Sequence, residues 1–184
     1  RRILDEVIEP TLAGLRLDGV NYVGFLYAGL MIAPNGTPKV IEFNCRMGDP
    51  ETQPIMSRLQ SDLVDLCNAT LDGRLANVSA KWDSRAALGV VMAAGGYPAS
   101  YAKDKSIAGL NDYSLDDVKV FHAGTTLIGD EVRTSGGRVL CVVGLGETVS
   151  DARDKAYGCV DNIHWDDVYF RRDIGHRAIA REAN

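Results

Sequence analysis

The sequence has no cysteine pair in C-x-x-C spacing. Its four cysteines, Cys45, Cys67, Cys141 and Cys159, lie far apart, each among apolar neighbours. That spacing reads as reduced, mostly buried thiols. Histidine is scarce too: His122, His164 and His176 are equally scattered, so no zinc site is assigned. No apolar run reaches the roughly 18 residues needed to span a bilayer. The amino end, Arg1-Arg2-Ile3-Leu4-Asp5-Glu6, lacks the apolar core of a secretion signal. A cytoplasmic protein without a membrane partner is expected. An excess of positive charge is also missing, since 20 Lys and Arg stand against 25 Asp and Glu for a formal charge of −5. Nothing draws the chain broadly to a polyanion, so nucleic acid is not an expected partner.

What is present suits a globular chain. Of 184 residues, 46% are hydrophobic and 24% charged, enough to bury a core in one domain or two small ones. Ile3, Leu4, Val7, Ile8, Leu12 and Leu15 recur at three- and four-residue spacing, which predicts an amphipathic helix over Arg2 to Leu17 with a kink at Pro10. The pattern opens without a capping residue, as in a chain cut from something longer. Val20 to Ile32 and Lys39 to Cys45, separated by Pro34-Asn35-Gly36-Thr37-Pro38, read as a β-hairpin. A helical stretch follows from Glu51 to Leu71, interrupted near Gln60-Ser61, where Ser61 or Asp62 can cap a fresh helix. Leu75 to Ser84 reads as a linker. Beyond it come short strands at Ala86 to Ala93, Val118 to Phe121, Thr125 to Ile128, Glu131 to Thr134 and Arg138 to Val143, then a helix from Val149 to Ile163 started by Thr148 or Ser150. The tail holds a short strand, Tyr169-Phe170-Arg171, and a last helical turn or two. The fold class is α+β in two parts, residues 1–74 and 84–184.

One stretch carries chemistry: Val40-Ile41-Glu42-Phe43-Asn44-Cys45-Arg46-Met47-Gly48-Asp49-Pro50-Glu51. In an extended strand Glu42, Asn44 and Arg46 share one face, while Ile41, Phe43, Cys45 and Met47 share the other and can pack on a core. A carboxylate and an amide carbonyl about 7 Å apart can converge on a hard cation such as magnesium, which keeps waters and substrate phosphates in its shell. The guanidinium fork of Arg46 suits a carboxylate or phosphoryl oxygen. The same alternation also describes an ordinary half-buried strand with a solvated face. Gly48 allows a sharp turn, Asp49 can cap a helix, Pro50 suits its first position and Glu51 its first turn. That helix start offers donors to an anion, and Asp49 and Glu51 could equally attract an ammonium group.

The runs GFLYAGLMI and KVIEFNCRMGDPETQPIM, followed by ALGVVMAAGGYP, KVFHAGT, GGRVLCVVGLG and NIHWDD, resemble the phosphoribosylamine–glycine ligase (glycinamide ribonucleotide synthetase) family of the ATP-grasp superfamily. The resemblance covers essentially the whole chain as the carboxy-terminal portion of such an enzyme. It implies the end of an ATP-grasp domain over residues 1–74 and a small strand-rich, barrel-sandwich-like domain over 84–184. The implied reaction joins glycine to 5-phosphoribosylamine, with ATP consumed to ADP and phosphate through glycyl phosphate. By resemblance, Glu42 and Asn44 bind Mg2+ or Mn2+ bridging the ATP phosphates, and Arg46 holds the carboxylate or acyl phosphate. Many ATP-grasp relatives carry a further acidic ligand on the preceding strand, but Val20 to Ile32 contains no Asp or Glu. The glycine-rich lid and adenine-binding segment have no counterpart here. The expected partners are therefore small-molecule substrates and the missing amino-terminal part of the same enzyme, a monomer when complete. The chain alone is expected to be inactive and not to bind ATP productively.

Other residues carry weaker signals. Gly95 and Gly96 could let backbone amides approach a phosphate, or simply make a tight turn before Tyr97-Pro98. Arg138 could reach a ribose phosphate or form a surface ion pair. His122 reads as structural, and Trp82 and Trp165 as packing. Two other readings are another ATP-grasp carboxylate–amine ligase, which would not share GDPETQP, and a non-catalytic docking or carrier module. A carrier would expose a lysine between methionines, and neither Met31 nor Met92 has such a neighbour.

Overall fold

The apolar spacing does wind residues 2–17 into one helical stretch, and the irregularity expected at Pro10 takes a definite form. The structure, a computed structural model, describes residues 1–110 and 116–182. Leu4–Ile8 is a π-helical segment, and α1 (Glu9–Leu17) follows with Pro10 in its first turn. Proline has no N–H to give, and its ring crowds the carbonyl four residues back, so the widened turn falls just ahead of it.

The chain divides into two units, one of residues 1–49 and 61–81, the other of 50–60 and 82 onward. The first holds an antiparallel hairpin of β1 (Tyr27–Ile32) and β2 (Pro38–Asn44). Residues 33–37 close it, with Gly36 at φ 80° and the Thr37 amide donating to Oδ1 of Asn35 at 3.0 Å. The first strand begins at Tyr27 rather than Val20. Gly24 stands at φ 142°, and the Tyr22 hydroxyl donates to the Phe25 carbonyl, which makes the lead-in irregular.

The helical stretch expected over residues 51–71 is two helices, α2 (Thr52–Arg58) and α3 (Leu63–Leu71). Asp62 caps α3 by accepting from the amides of Val64 and Asp65 at 2.7 and 3.2 Å, so the interruption near Ser61 is a new helix start. The helix α3 groups with the first unit and α2 with the second.

In the second unit β3 (Ala86–Ala94), β4 (Val118–His122), β5 (Thr125–Ile128), β6 (Glu131–Thr134), β7 (Arg138–Gly146) and β8 (Val168–Tyr169) form two antiparallel sheets. The larger has the order β4-β7-β3-β8 and the smaller pairs β5 with β6. The helices α4 (Val149–Val160) and α5 (His176–Glu182) complete the unit. Thr148 caps α4 through the Asp151 amide at 3.0 Å, and the Glu182 carboxylate accepts from the Val149 amide at 2.8 Å.

Val90, Met92, Leu140, Val142, Ala152, Ala156, Cys159 and Val160 are fully buried in one cluster between α4 and a face of the sheet. The approach is close because both surfaces are small. A Cβ on Gly144 would lie 2.8 Å from the Ala156 amide nitrogen. Burial pushes the Cys159 thiol up to about 11, as for an inert core cysteine.

The segment carrying α2 is tied to this unit by polar bonds. The Asp83 amide donates to the Arg58 carbonyl at 2.7 Å, and the Arg58 guanidinium donates back to the Asp83 carbonyl at 2.8 and 3.1 Å. Arg85 then bridges the carboxylates of Asp83 and Asp117, and Lys155 meets Asp117 at 2.6 Å. The Arg85 side chain holds Asp83 down from its ordinary 3.8 to about 2, and Lys155 and then Arg85 lower Asp117.

Candidate functional site

The register of the hairpin decides which groups meet. Asn44 stands opposite Tyr27, and Glu42 opposite Gly29, so these four residues share one face. Between Gly29 and Leu30 the register shifts, because Ile41 is an extra residue that pairs with neither. Gly29 leaves room for the carboxylate: a Cβ built there would lie 3.0 Å from Cγ and 3.6 Å from Oε1 of Glu42. The Glu42 side chain therefore lies across the opposing backbone, beside the Tyr27 ring.

Asn44 is half-buried, and its side-chain nitrogen is fully buried without a hydrogen-bond partner among the described residues. A buried amide left unpaired calls for a group from outside. Its nitrogen can donate to a ligand oxygen, or, with the amide turned about its soft terminal torsion, its oxygen can meet a cation. One carboxylate and one amide, both hard oxygen donors on one face, fit a divalent ion completed by phosphates and water. Among the described residues no group of three or more His, Cys, Asp or Glu side chains converges as a closed metal cage.

The expected row of three does not extend to Arg46. The strand ends at Asn44, Cys45 and Arg46 lie in a bend, and Nη1 of Arg46 donates to the Met47 carbonyl at 2.9 Å. The two-residue alternation stops where the ladder stops, so the direction of Arg46 is set by the bend. The opposite face of β2 also departs from expectation: Ile41 is 66% exposed and Phe43 42%, so this chain does not cover them with a core.

The acidic turn is likewise different in detail. Asp49, Pro50 and Glu51 precede the helix rather than open it; Glu51 is the residue before Thr52, and no side chain caps the end. Asp49 and Glu51 are exposed and fall in different units. In the seven-residue α2, Gln53 carries a buried side-chain oxygen without a partner among the described residues.

Gly95 and Gly96 have packing reasons to be glycine. A Cβ on Gly95 would meet the Asp167 carbonyl oxygen at 2.6 Å, and one on Gly96, at φ 94°, would collide with the Ser100 carbonyl. Arg138 opens β7, directly opposite Ala93. It lines a cavity of about 300 Å³ in the second unit, with Tyr97, Tyr169 and Arg171 also on its wall. His122 bonds to the Thr125 hydroxyl at 3.1 Å, which suits a structural role. Residue-by-residue reading missed Tyr27 and Gly29, which the Pro34-Asn35-Gly36 turn could have placed by fixing the register, and missed Arg171, for which no local motif exists.

Oxygen donors on a hairpin, a GDPETQP turn and a small antiparallel α+β unit are parts of an ATP-grasp ligase. Residues 1–52 match the family described as phosphoribosylglycinamide synthetase, ATP-grasp (A) domain, and residues 87–177 match phosphoribosylglycinamide synthetase, C domain. The chain is 62% identical over 181 residues to the phosphoribosylamine–glycine ligase of Allochromatium vinosum, covering 98% of this chain and 42% of that protein. It is 58% identical over 185 residues to the enzyme of the same name from Escherichia coli O157:H7, covering 100% of this chain and 43% of that protein. The crystal structure of phosphoribosylamine–glycine ligase from Thermotoga maritima superposes with a TM-score of 0.73 at 36% identity, over 92% of this chain and 41% of that one. The chain belongs to the phosphoribosylamine–glycine ligase family and spans about two-fifths of the length of the relatives it matches. ATP-grasp ligases use ATP with a divalent metal. Among the described residues no helix is long and apolar enough to cross a membrane.

Proposed function

We propose that this chain is the carboxy-terminal portion of an enzyme that ligates glycine to 5-phosphoribosylamine, giving glycinamide ribonucleotide, ADP and phosphate. The assigned division of labour is that residues 1–74 close the ATP-grasp domain and 84–184 form the small carboxy-terminal domain, except that residues 50–60, which carry α2, group with the latter. The remaining ATP-binding part of the enzyme is the partner this portion works with, and the substrates are small molecules. The observation that carries the reading is the placement of Glu42 and Asn44 on one face of the hairpin, over Gly29 and beside Tyr27.

Glu42 and Asn44 would hold Mg2+ or Mn2+, which when bound supplies positive charge to the phosphoryl oxygens of ATP. The glycine carboxylate attacks the γ-phosphorus, ADP leaves, and the amine of phosphoribosylamine then displaces phosphate from the glycyl carbonyl. The first step brings like charges together, and Arg46 is assigned to lower that cost by donating to the carboxylate or acyl phosphate. Asp49 and Glu51 are candidates for the substrate ammonium group. Gly95, Gly96 and Arg138 are candidates for the sugar phosphate, with Arg138 favoured because it lines a cavity.

The test is Glu42→Gln in the complete enzyme, assayed across magnesium and manganese concentrations. Loss of turnover of at least about 100-fold, partly recovered at high metal, is expected for a ligand that loses its charge. Unchanged activity at limiting metal would overturn the ligand assignment.

A further inference from the structure

The helix α2 is too short to be held by its own backbone. It runs for seven residues, Thr52–Arg58, and no side chain caps its start. Isolated helices below about 12 residues are marginal in water, so packing must hold this one. The packing surface is specific. On β3, Leu88, Val90 and Met92 belong to the core cluster that includes α4, so Gly89 between them faces the other way. Pro54 of α2 sits on that glycine: a Cβ built on Gly89 would lie 3.0 Å from Cγ and 3.5 Å from Cδ of the proline ring, and 3.2 Å from Sγ of Cys141. Glycine inside a strand weakens it, and close approach of another group is a recurring reason for one. Here the missing Cβ gives the ring its seat.

A second anchor holds the far end of the helix. The Arg58 carbonyl accepts from the Asp83 amide at 2.7 Å, and the Arg58 guanidinium donates to the Asp83 carbonyl through Nε at 3.1 Å and Nη2 at 2.8 Å. Leu59 adds an isolated antiparallel bridge to Trp82. The Asp83 carboxylate is itself gripped by Arg85, whose other partner, Asp117, holds Lys155 of α4. Within the second unit α2 is therefore seated at two places, the ring of Pro54 and the fork of Arg58.

Chain continuity gives this seat a task. Residues 45–51 run from the end of β2 at Asn44 to the start of α2, outside any strand or helix. Register places Glu42 and Asn44. The stretch that follows has no ladder to place it and takes its path from its two ends. We propose that the seating of α2 on Gly89 and Asp83 positions residues 45–51 for the reaction, which makes Gly89, Pro54 and Arg58 positioning residues that act through Arg46, Asp49 and Glu51. The part in turnover rests on the ligase reading, whereas the seating rests on the geometry alone. Misplacing a reacting group by about 1 Å can cost roughly 100-fold in rate, so a shift of a few tenths of an ångström is measurable. Alanine at Gly89 forces such a shift, because the proline ring is fixed to the helix backbone and cannot swing aside.

The test uses the complete enzyme with Gly89→Ala, Pro54→Ala, the two combined, and Arg58→Lys, which loses the fork. Amide hydrogen exchange without substrates, read by mass spectrometry, should be about tenfold faster over residues 45–51 in Gly89→Ala and Arg58→Lys, and unchanged over β1 and β2. In both variants kcat should fall about tenfold and the KM for glycine should rise, with the metal concentration for half-maximal activity unchanged because Glu42 and Asn44 keep their register. Removing the ring in the combined variant should return exchange and kcat to within about twofold of Pro54→Ala alone. A Gly89→Ala loss that persists in the combined variant would place the defect in the sheet and overturn the seating, as would unchanged exchange in both Gly89→Ala and Arg58→Lys. Faster exchange with wild-type glycine kinetics would overturn the part in turnover. If crowding against Cys141 keeps Gly89→Ala from folding, Arg58→Lys carries the same readouts. Because exchange is read without turnover, an inert Glu42→Gln would remove the ligase reading and leave the seating result intact.

Discussion

Gly29 stands directly opposite Glu42 across the hairpin, and a methyl group on Gly29 would lie 3.0 Å from the Cγ of Glu42. The carboxylate is flexible enough to give way, so Gly29→Ala should leave the fold intact and displace Glu42 instead. The expected outcome is an approximately tenfold rise in the metal concentration for half-maximal activity in the complete enzyme, a size typical of disturbed ligand support. An unchanged metal dependence would separate Glu42 from the ion.

Arg46 leaves the strand and is exposed in a bend, with one donor spent on the Met47 carbonyl. An exposed arginine kept for structure would tolerate lysine. If its fork receives an acyl phosphate, Arg46→Lys should lower kcat by about 10- to 100-fold, with Arg46→Ala no better. Steady-state assays at varied glycine check this, and a lysine variant with wild-type kinetics would exclude the role.

The Arg58, Asp83, Arg85, Asp117 and Lys155 chain sets an acid limit on the second unit. Asp83 falls from 3.8 to about 2 through its hydrogen bonds with Arg85, so its carboxylate is more readily ionised folded than unfolded. Its contribution to stability is fully present above about pH 4 and is lost as pH falls from there toward 2. Melting curves from pH 7 to 2 should show wild type exceeding Asp83→Asn above pH 4, and the gap closing below it.

The four thiols should differ sharply in reactivity. Cys45 is exposed, Cys67 half-buried, and Cys141 and Cys159 buried. A maleimide at pH 7 should modify Cys45 first and leave Cys159, whose thiol is pushed up to about 11, until the chain unfolds. Mass spectrometry of timed digests reads the order.

Much of the architecture was legible because local signals agreed with burial. The alternation and glycine turns marked β3 to β7, whereas the tail strand expected at Tyr169 to Arg171 meets β8 only at Tyr169; Thr148 and Asp62 were each one of two readable caps, and the break near Ser61 was visible. The irregularities were not legible. The strand end at Asn44, which takes Arg46 out of line, depends on how far the partner strand extends, and the bulge at Ile41 depends on pairing between distant residues. The site was half visible for the same reason: Glu42 and Asn44 lie on one segment, whereas Gly29 and Tyr27 join them only through register. The cavity gathers Tyr97, Arg138, Tyr169 and Arg171 from separate strands and turns, and no window of sequence holds them together.

The exposed apolar residues on both faces of the hairpin have a practical consequence. Both strands of a two-stranded ladder are edges, and Met31, Ile32, Val40 and Ile41 are exposed on it. Such a ribbon is adhesive toward other extended chains. The 184 residues handled by themselves should self-associate as concentration rises, and light scattering should follow hairpin substitutions such as Ile41→Lys rather than changes in the well-filled second unit.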